Sequence, residues 1–190
     1  GRTTGFTTGS ITSINTSVTV RYMRGCGVGV PFTVSYTYQL VTGVMSAGRD
    51  SGSLLLSYDG APNPVVLLYA GSNSTTVYNP IQDVVNAFRA GGHTFSFVGS
   101  APLAADSPGN RLERGPSPED LELVQRVKLE NEAKLFRNPG VLGVGIGAAE
   151  GNPYEAALVV YFDRSRVANI PPRIGGIQTR VIITDTIVAQ

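Results

Sequence analysis

The 190-residue sequence holds one cysteine, one histidine, two lysines and no tryptophan, and each shortage removes a class of protein. Cys26 has no second cysteine to pair with, so no internal disulfide braces the chain and the redox compartment stays open. One histidine and one cysteine do not make up the nitrogen and sulfur ligands of a zinc site, so no metal is expected. A formal net charge of +1 leaves no basic excess to hold a nucleic-acid backbone. No apolar run approaches the roughly 20 residues of a membrane-spanning helix. Nucleic acid, membrane and cofactor are therefore all absent from the expected partners. The length fits one large domain or two small ones, each with a real core.

What is present is hydroxyl, glycine and valine. Residues 1–99 are poor in charge and are cut into short runs by Gly and Pro. The stretches "FTTGSITSI", "TSVTVRYM", "PFTVSYTYQLV", "SGSLLLSY", "PVVLLYAG" and "HTFSFVG" each read as a strand. Val18, Val20 and Tyr22 alternate with Thr19 and Arg21, the period of a half-buried strand. Short strands at this spacing predict an antiparallel barrel or sandwich. One helix interrupts them: in "NPIQDVVNAFRAGG", Asn79 is the expected N-cap, Pro80 opens the helix and Gly91–Gly92 stops it.

The composition then changes. Residues 100–116 are rich in Pro, Gly and Ser and read as a linker. Residues 117–190 read as a small α+β module. It starts with a helix capped by Ser117, opened by Pro118 and closed by Asn138-Pro139-Gly140, with Leu121, Val124, Val127 and Leu135 on one stripe. Strands at "VLGVGIGA", "AALVVYFD" and "QTRVIITDTIV" follow. Gly143, Gly145 and Gly147 are not spaced as a phosphate loop and no helix follows them directly. Glycines on one strand face instead predict the close approach of a helix, that at 118–136.

The stretch that carries chemistry is "MSAGRDSGSLLL", residues 45–56. A serine between Asp and Gly, on a small-residue turn entering a buried strand, can expose its oxygen with backbone N–H groups beside it. A serine hydroxyl becomes a nucleophile only when a base takes its proton and donors hold the oxyanion. The competing reading is an ordinary Asx or Ser turn that closes a hairpin.

Taken with "GRTTGFTTGSI" before it and "PVVLLYAGSNSTTVYNPIQDVVNAF" after it, this stretch resembles the second barrel of trypsin-like serine proteases, bacterial members without disulfides above all. The resemblance covers residues 1–90. It implies that Ser51 is the nucleophile and Asp50 the carboxylate that anchors the loop. The backbone N–H groups of Arg49 and Ser51 would form the oxyanion hole. Met45 would lie at the floor of the primary specificity pocket and favour apolar side chains. Tyr69, Ala70 and Gly71 would pair with the backbone of a peptide substrate. The sequence departs from the family at Arg49, where glycine is usual because the backbone there needs freedom. The family's His and Asp belong to a first barrel, which this sequence does not contain. Residues 117–190 also resemble a small module that accompanies such proteins, although in the family it precedes the barrels.

His93 offers itself as a base, and Ser51, then Asp59 or Asp83, then His93 follows the order of an α/β-hydrolase triad. That fold needs glycine two positions either side of the serine, where Arg49 and Ser53 stand, so His93 is expected at a solvated strand end. The leading expectation is thus the C-terminal part of a serine endopeptidase, inactive as this chain alone, with its base supplied by a cleaved or absent first barrel. Gly1 without a Met and the alternating start fit a processed or trimmed piece. The other expectation is a barrel without catalysis that serves as a structural or interaction module. Either way a partner chain or self-association is expected, because a second barrel ordinarily buries an apolar flank.

Overall fold

The structure is a computed structural model that describes residues 1–25, 28–57, 62–97 and 115–190. Cys26, Asp59 and most of the expected linker lie outside the described residues. Strands β1 (Ile11–Met23) and β2 (Pro31–Gly43) form a long hairpin. After it come β3 (Leu54–Leu56), β4 (Pro64–Gly71), β5 (Thr75–Pro80) and helix α1 (Ile81–Ala90). Helix α2 (Pro118–Leu135) leads into β6 (Val141–Ala149), β7 (Asn152–Asp163), β8 (Arg173–Ile174), β9 (Ile177–Thr184) and β10 (Val188–Ala189).

The strands "FTTGSITSI" and "TSVTVRYM" are one element from Ile11 onward. Register shifts between Ile11 and Val18 and the positive φ of Asn15 bend β1 where the sequence suggests a break. From there Val18 and Val20 point inward and are fully buried. Strand β5 is an addition to the sequence reading: Thr75–Pro80 pairs with both β2 and β4. Its presence displaces the expected cap of α1. Asn79 sits opposite Leu67 in the ladder, and Pro80 holds the N-cap position with no side-chain bond. Conversely, residues 93–97 of "HTFSFVG" form no strand.

Five strands close into a barrel in the order β1, β2, β5, β4, β10 and back to β1. The barrel is mixed, not antiparallel throughout as expected. Its closing strand β10 runs antiparallel to β4 and parallel to β1, with Arg21 opposite Val188. The physical reason is where that strand comes from. Parallel neighbours need a long crossover, and β10 arrives only after α2 and β6–β9. Two further bonds seat its ends: Arg21 N donates to Ile187 O at 2.9 Å and Gln190 N to Tyr69 O at 3.1 Å.

On its other edge β1 pairs with β6, so the sheet runs on through β7 and β9. Gly143, Gly145 and Gly147 face β1 and not the helix. A Cβ on Gly147 would stand 2.3 Å from Thr12 O, and one on Gly145 would stand 2.4 Å from Thr16 Oγ1. The glycines admit a hydroxyl-lined strand, where Ser13 Oγ also bonds Thr16 Oγ1 and Tyr161 Oη at 2.7 Å each. Helix α2 covers the opposite face, where Val124 and Leu135 pack with Val144, Ile146, Leu158 and Val160. Ser117 caps α2 as expected, accepting from Asp120 N at 3.1 Å. Lys128, which interrupts the apolar stripe, is buried and reaches Glu132 at 2.6 Å and Ser17 Oγ at 3.2 Å. A second core fills the barrel with Val18, Val20, Val41, Ala70 and Val77, completed by Val159, Tyr161 and Ile187 from the later strands.

Candidate active site around Ser51

The loop between β2 and β3 is built around one carboxylate. Asp50 is buried, and its Oδ1 accepts from Thr3 N at 2.6 Å. Its Oδ2 accepts from Thr4 Oγ1 at 2.8 Å and from Ala47 N at 3.0 Å. These donors favour the charged form, the Thr3 N–H most and the Ala47 N–H next, and hold the pKa down from 3.8 to about 2. Residues 1–4 thus lie over the loop, and Thr3 Oγ1 also donates to Gly48 O at 2.7 Å. At the loop's start Met45 N donates to Thr76 Oγ1 at 3.0 Å, and Thr7 Oγ1 donates to Met45 O at 3.0 Å.

Held this way, the chain makes two tight reversals. Asp50 N bonds Ala47 O at 3.1 Å, and Ser53 N bonds Asp50 O at 3.0 Å. Arg49 adopts φ +78° and Gly52 φ +88°. The left-handed region costs a side-chain-bearing residue roughly 1–2 kcal/mol, so Arg49 is strained where glycine would not be. That is the backbone demand foreseen at this position, met by arginine. Between the two reversals Ser51 is exposed, and among the described residues no group bonds its hydroxyl. Nor do the amides of Arg49 and Ser51 take part in a backbone bond among the described residues.

Ser51 is tied to β4 through its neighbours. Gly52 N donates to Leu68 O and Leu68 N to Ser53 O, both at 2.9 Å. Beyond Leu68 the β4–β5 register shifts before Ala70. Consecutive carbonyls of a regular strand face opposite edges; at this irregularity Leu68 O and Tyr69 O both take partners on the edge away from β5. Three segments therefore share that edge in sequence: β3, the Gly52–Ser53 link beside Ser51, and β10 opposite Ala70 and Gly71. Tyr69, Ala70 and Gly71 thus have their edge filled by Val188–Gln190. Tyr69 itself is partly buried against Tyr36, ring centroids 5.0 Å apart, and burial raises the pKa of its phenol.

Met45 and Asp50 meet elsewhere. They line a cleft of about 760 Å³ with Phe6, Leu54, Leu56 and Tyr78. Ser51, Tyr69, Ala70 and Gly71 are not part of its lining. The cleft's lining also includes Ser53 and Leu68, which are bonded to each other next to Ser51. His93 is exposed after α1, where its amide donates to Phe88 O at 2.9 Å; it makes no hydrogen bond to Ser51. Asp83 is exposed on α1. Among the described residues, no cluster of three or more His, Cys, Asp or Glu side chains could hold a metal ion.

Sequence reasoning missed Thr3, Thr4 and Thr76 as loop anchors, and β10 as the partner of β4. Hydroxyl residues give no local sign of long-range bonds, and a two-residue strand has no periodicity to read.

The architecture defines the class as far as it goes: a mainly β protein with a closed five-strand barrel, compatible with a trypsin-like barrel. Compared with models of protein families, with characterised proteins and with solved structures, the chain matches none of them.

Proposed function

We propose that this chain is the nucleophile-bearing part of a trypsin-like serine endopeptidase. Ser51 attacks the scissile carbonyl, the amides of Arg49 and Ser51 stabilise the oxyanion, and water hydrolyses the acyl-enzyme. The general base and its carboxylate come from a polypeptide segment this sequence does not include, a first barrel in the family it resembles. The observation that carries the proposal is the loop itself. A buried, fully hydrogen-bonded Asp50 shapes the reversals that leave Ser51 exposed, with no backbone bond to the amides of Arg49 and Ser51 among the described residues. Without a base the chain alone retains only slow residual catalysis.

A fluorophosphonate probe tests this, with imidazole in solution as the replacement base and peptide mapping to find the label. The label is expected on Ser51, rising with imidazole and abolished by Ser51→Ala. No label on Ser51 at any imidazole concentration refutes the proposal. One observation favours a second reading, a non-catalytic interaction module. The edge at Tyr69–Gly71 that a substrate would use is already filled from within the chain. Absence of labelling would leave that reading in place.

A further inference from the structure

We propose that Val188–Gln190 is a self-supplied occupant of a peptide-binding edge, displaced when an extended peptide pairs antiparallel with Tyr69–Gly71. The inference rests on the reading of that edge as the peptide site beside Ser51.

The register is that of a ligand. Val188 lies opposite Gly71 and Ala189 opposite Ala70, and Gln190 N donates to Tyr69 O at 3.1 Å. The direction matters as much as the pairing. Antiparallel to β4, the segment runs from Gly71 toward Tyr69, and the next residue of β4, Leu68, is the one bonded to Gly52 and Ser53. The self-strand is therefore aimed at the serine loop, the polarity a peptide needs to present a carbonyl there.

The segment is short and exposed, although Val188 also pairs with Arg21 of β1 and closes the barrel there. Val188 and Ala189 are exposed, whereas Ile187 immediately before them is fully buried in the barrel core. Ile187 can stay in place while the residues after it peel away. Gln190 Oε1 is buried without a hydrogen-bond partner among the described residues, so the self-pairing leaves one polar atom unsatisfied where it meets β4. The amide of Gln190 lies over Gly71, where a Cβ would stand 2.5 Å from its Nε2. Such addition of a strand to a sheet edge is an established way to recognise a peptide.

The test measures binding of a fluorescent peptide with the sequence Thr184–Gln190, by anisotropy, in a Ser51→Ala background. No chemistry at Ser51 is needed there, so failure of the nucleophile and failure of this inference are separate results. Two variants open the edge: a chain ending at Ile187, and Val188→Pro, which cannot donate to the ladder. At least tenfold tighter binding than to the unaltered strand is expected for each variant that stays folded by thermal unfolding. Adding Gly71→Val to either variant should remove that gain. Equal binding with and without the open edge overturns the inference. So does loss of folding in both variants, because β10 would then be a structural strand and not a displaceable one.

Discussion

Two surfaces meet at Asp50, and they are built differently. On one, Ser51 stands exposed next to an edge of β4 whose hydrogen bonds are taken by Val188–Gln190. On the other, Met45 lines an apolar cleft open to solvent, with Phe6, Leu54 and Leu56 around it. The sequence writes Met45 and Ser51 six residues apart, as though one pocket served both. In the fold Met45 and Asp50 line the cleft, while Ser51 is not in its lining. The edge beside Ser51 is filled from within, whereas the empty volume lies in the cleft, whose lining includes Ser53 and Ser57 but not Ser51. What couples the two is the set of donors on Asp50, contributed by Thr3, Thr4 and Ala47.

Removing that coupling should have the largest effect. Asp50→Ala removes the shared acceptor of two amides and a hydroxyl in a part-buried position and unties residues 1–4 from the loop, so it is expected to lower Tm. It should also increase hydrogen exchange at residues 45–53. Its pH dependence has a definite sign. The folded pKa lies below the ordinary value, so the stabilisation is present above pH 3.8 and is lost as the pH falls toward 2. Unfolding followed from pH 5 to pH 2 should show a steeper loss for the wild type than for Asp50→Asn.

Ile187→Ala separates the β4 edge from the cleft. Emptying a fully buried position in the barrel costs about 3 kcal/mol in denaturant unfolding. Exchange protection at Ala70 and Gly71 should weaken while the Met45 cleft keeps its structure. Met45→Ala acts on the cleft alone. It is buried but borders open volume, so the cost should be near the low end for such truncations, about 2 kcal/mol. The smallest change is Arg49→Gly, which relieves the φ of +78°. It should raise stability by up to about 1 kcal/mol, the left-handed cost offset in part by glycine's greater chain entropy.

The sequence made the barrel's strands legible where alternation was strict, as at Val18, Val20 and Tyr22, and made α2 legible through Ser117 and Pro118. It made the serine loop legible because Asp-Ser-Gly among small residues is a local signal. Closure was hidden. Antiparallel pairing follows from hairpins close in sequence, but the parallel pair of β10 with β1 depends on a crossover through the whole C-terminal half. The glycines of β6 misled for a related reason. Their spacing announces a close approach, but not whether a helix or a strand makes it, and Thr12 and Thr16 of β1 make it.

The decisive geometric relation is that Ser51 stands at the end of the β4 edge that Val188–Gln190 covers. A nitroxide on Ser51→Cys, in a Cys26→Ser background, measures this directly through its broadening of amide NMR signals. Strong broadening is expected at Ala189 and Gln190, comparable with that at Ser53 and Leu68. Sharp signals from Ala189 and Gln190 beside broadened ones from Ser53 and Leu68 would contradict it.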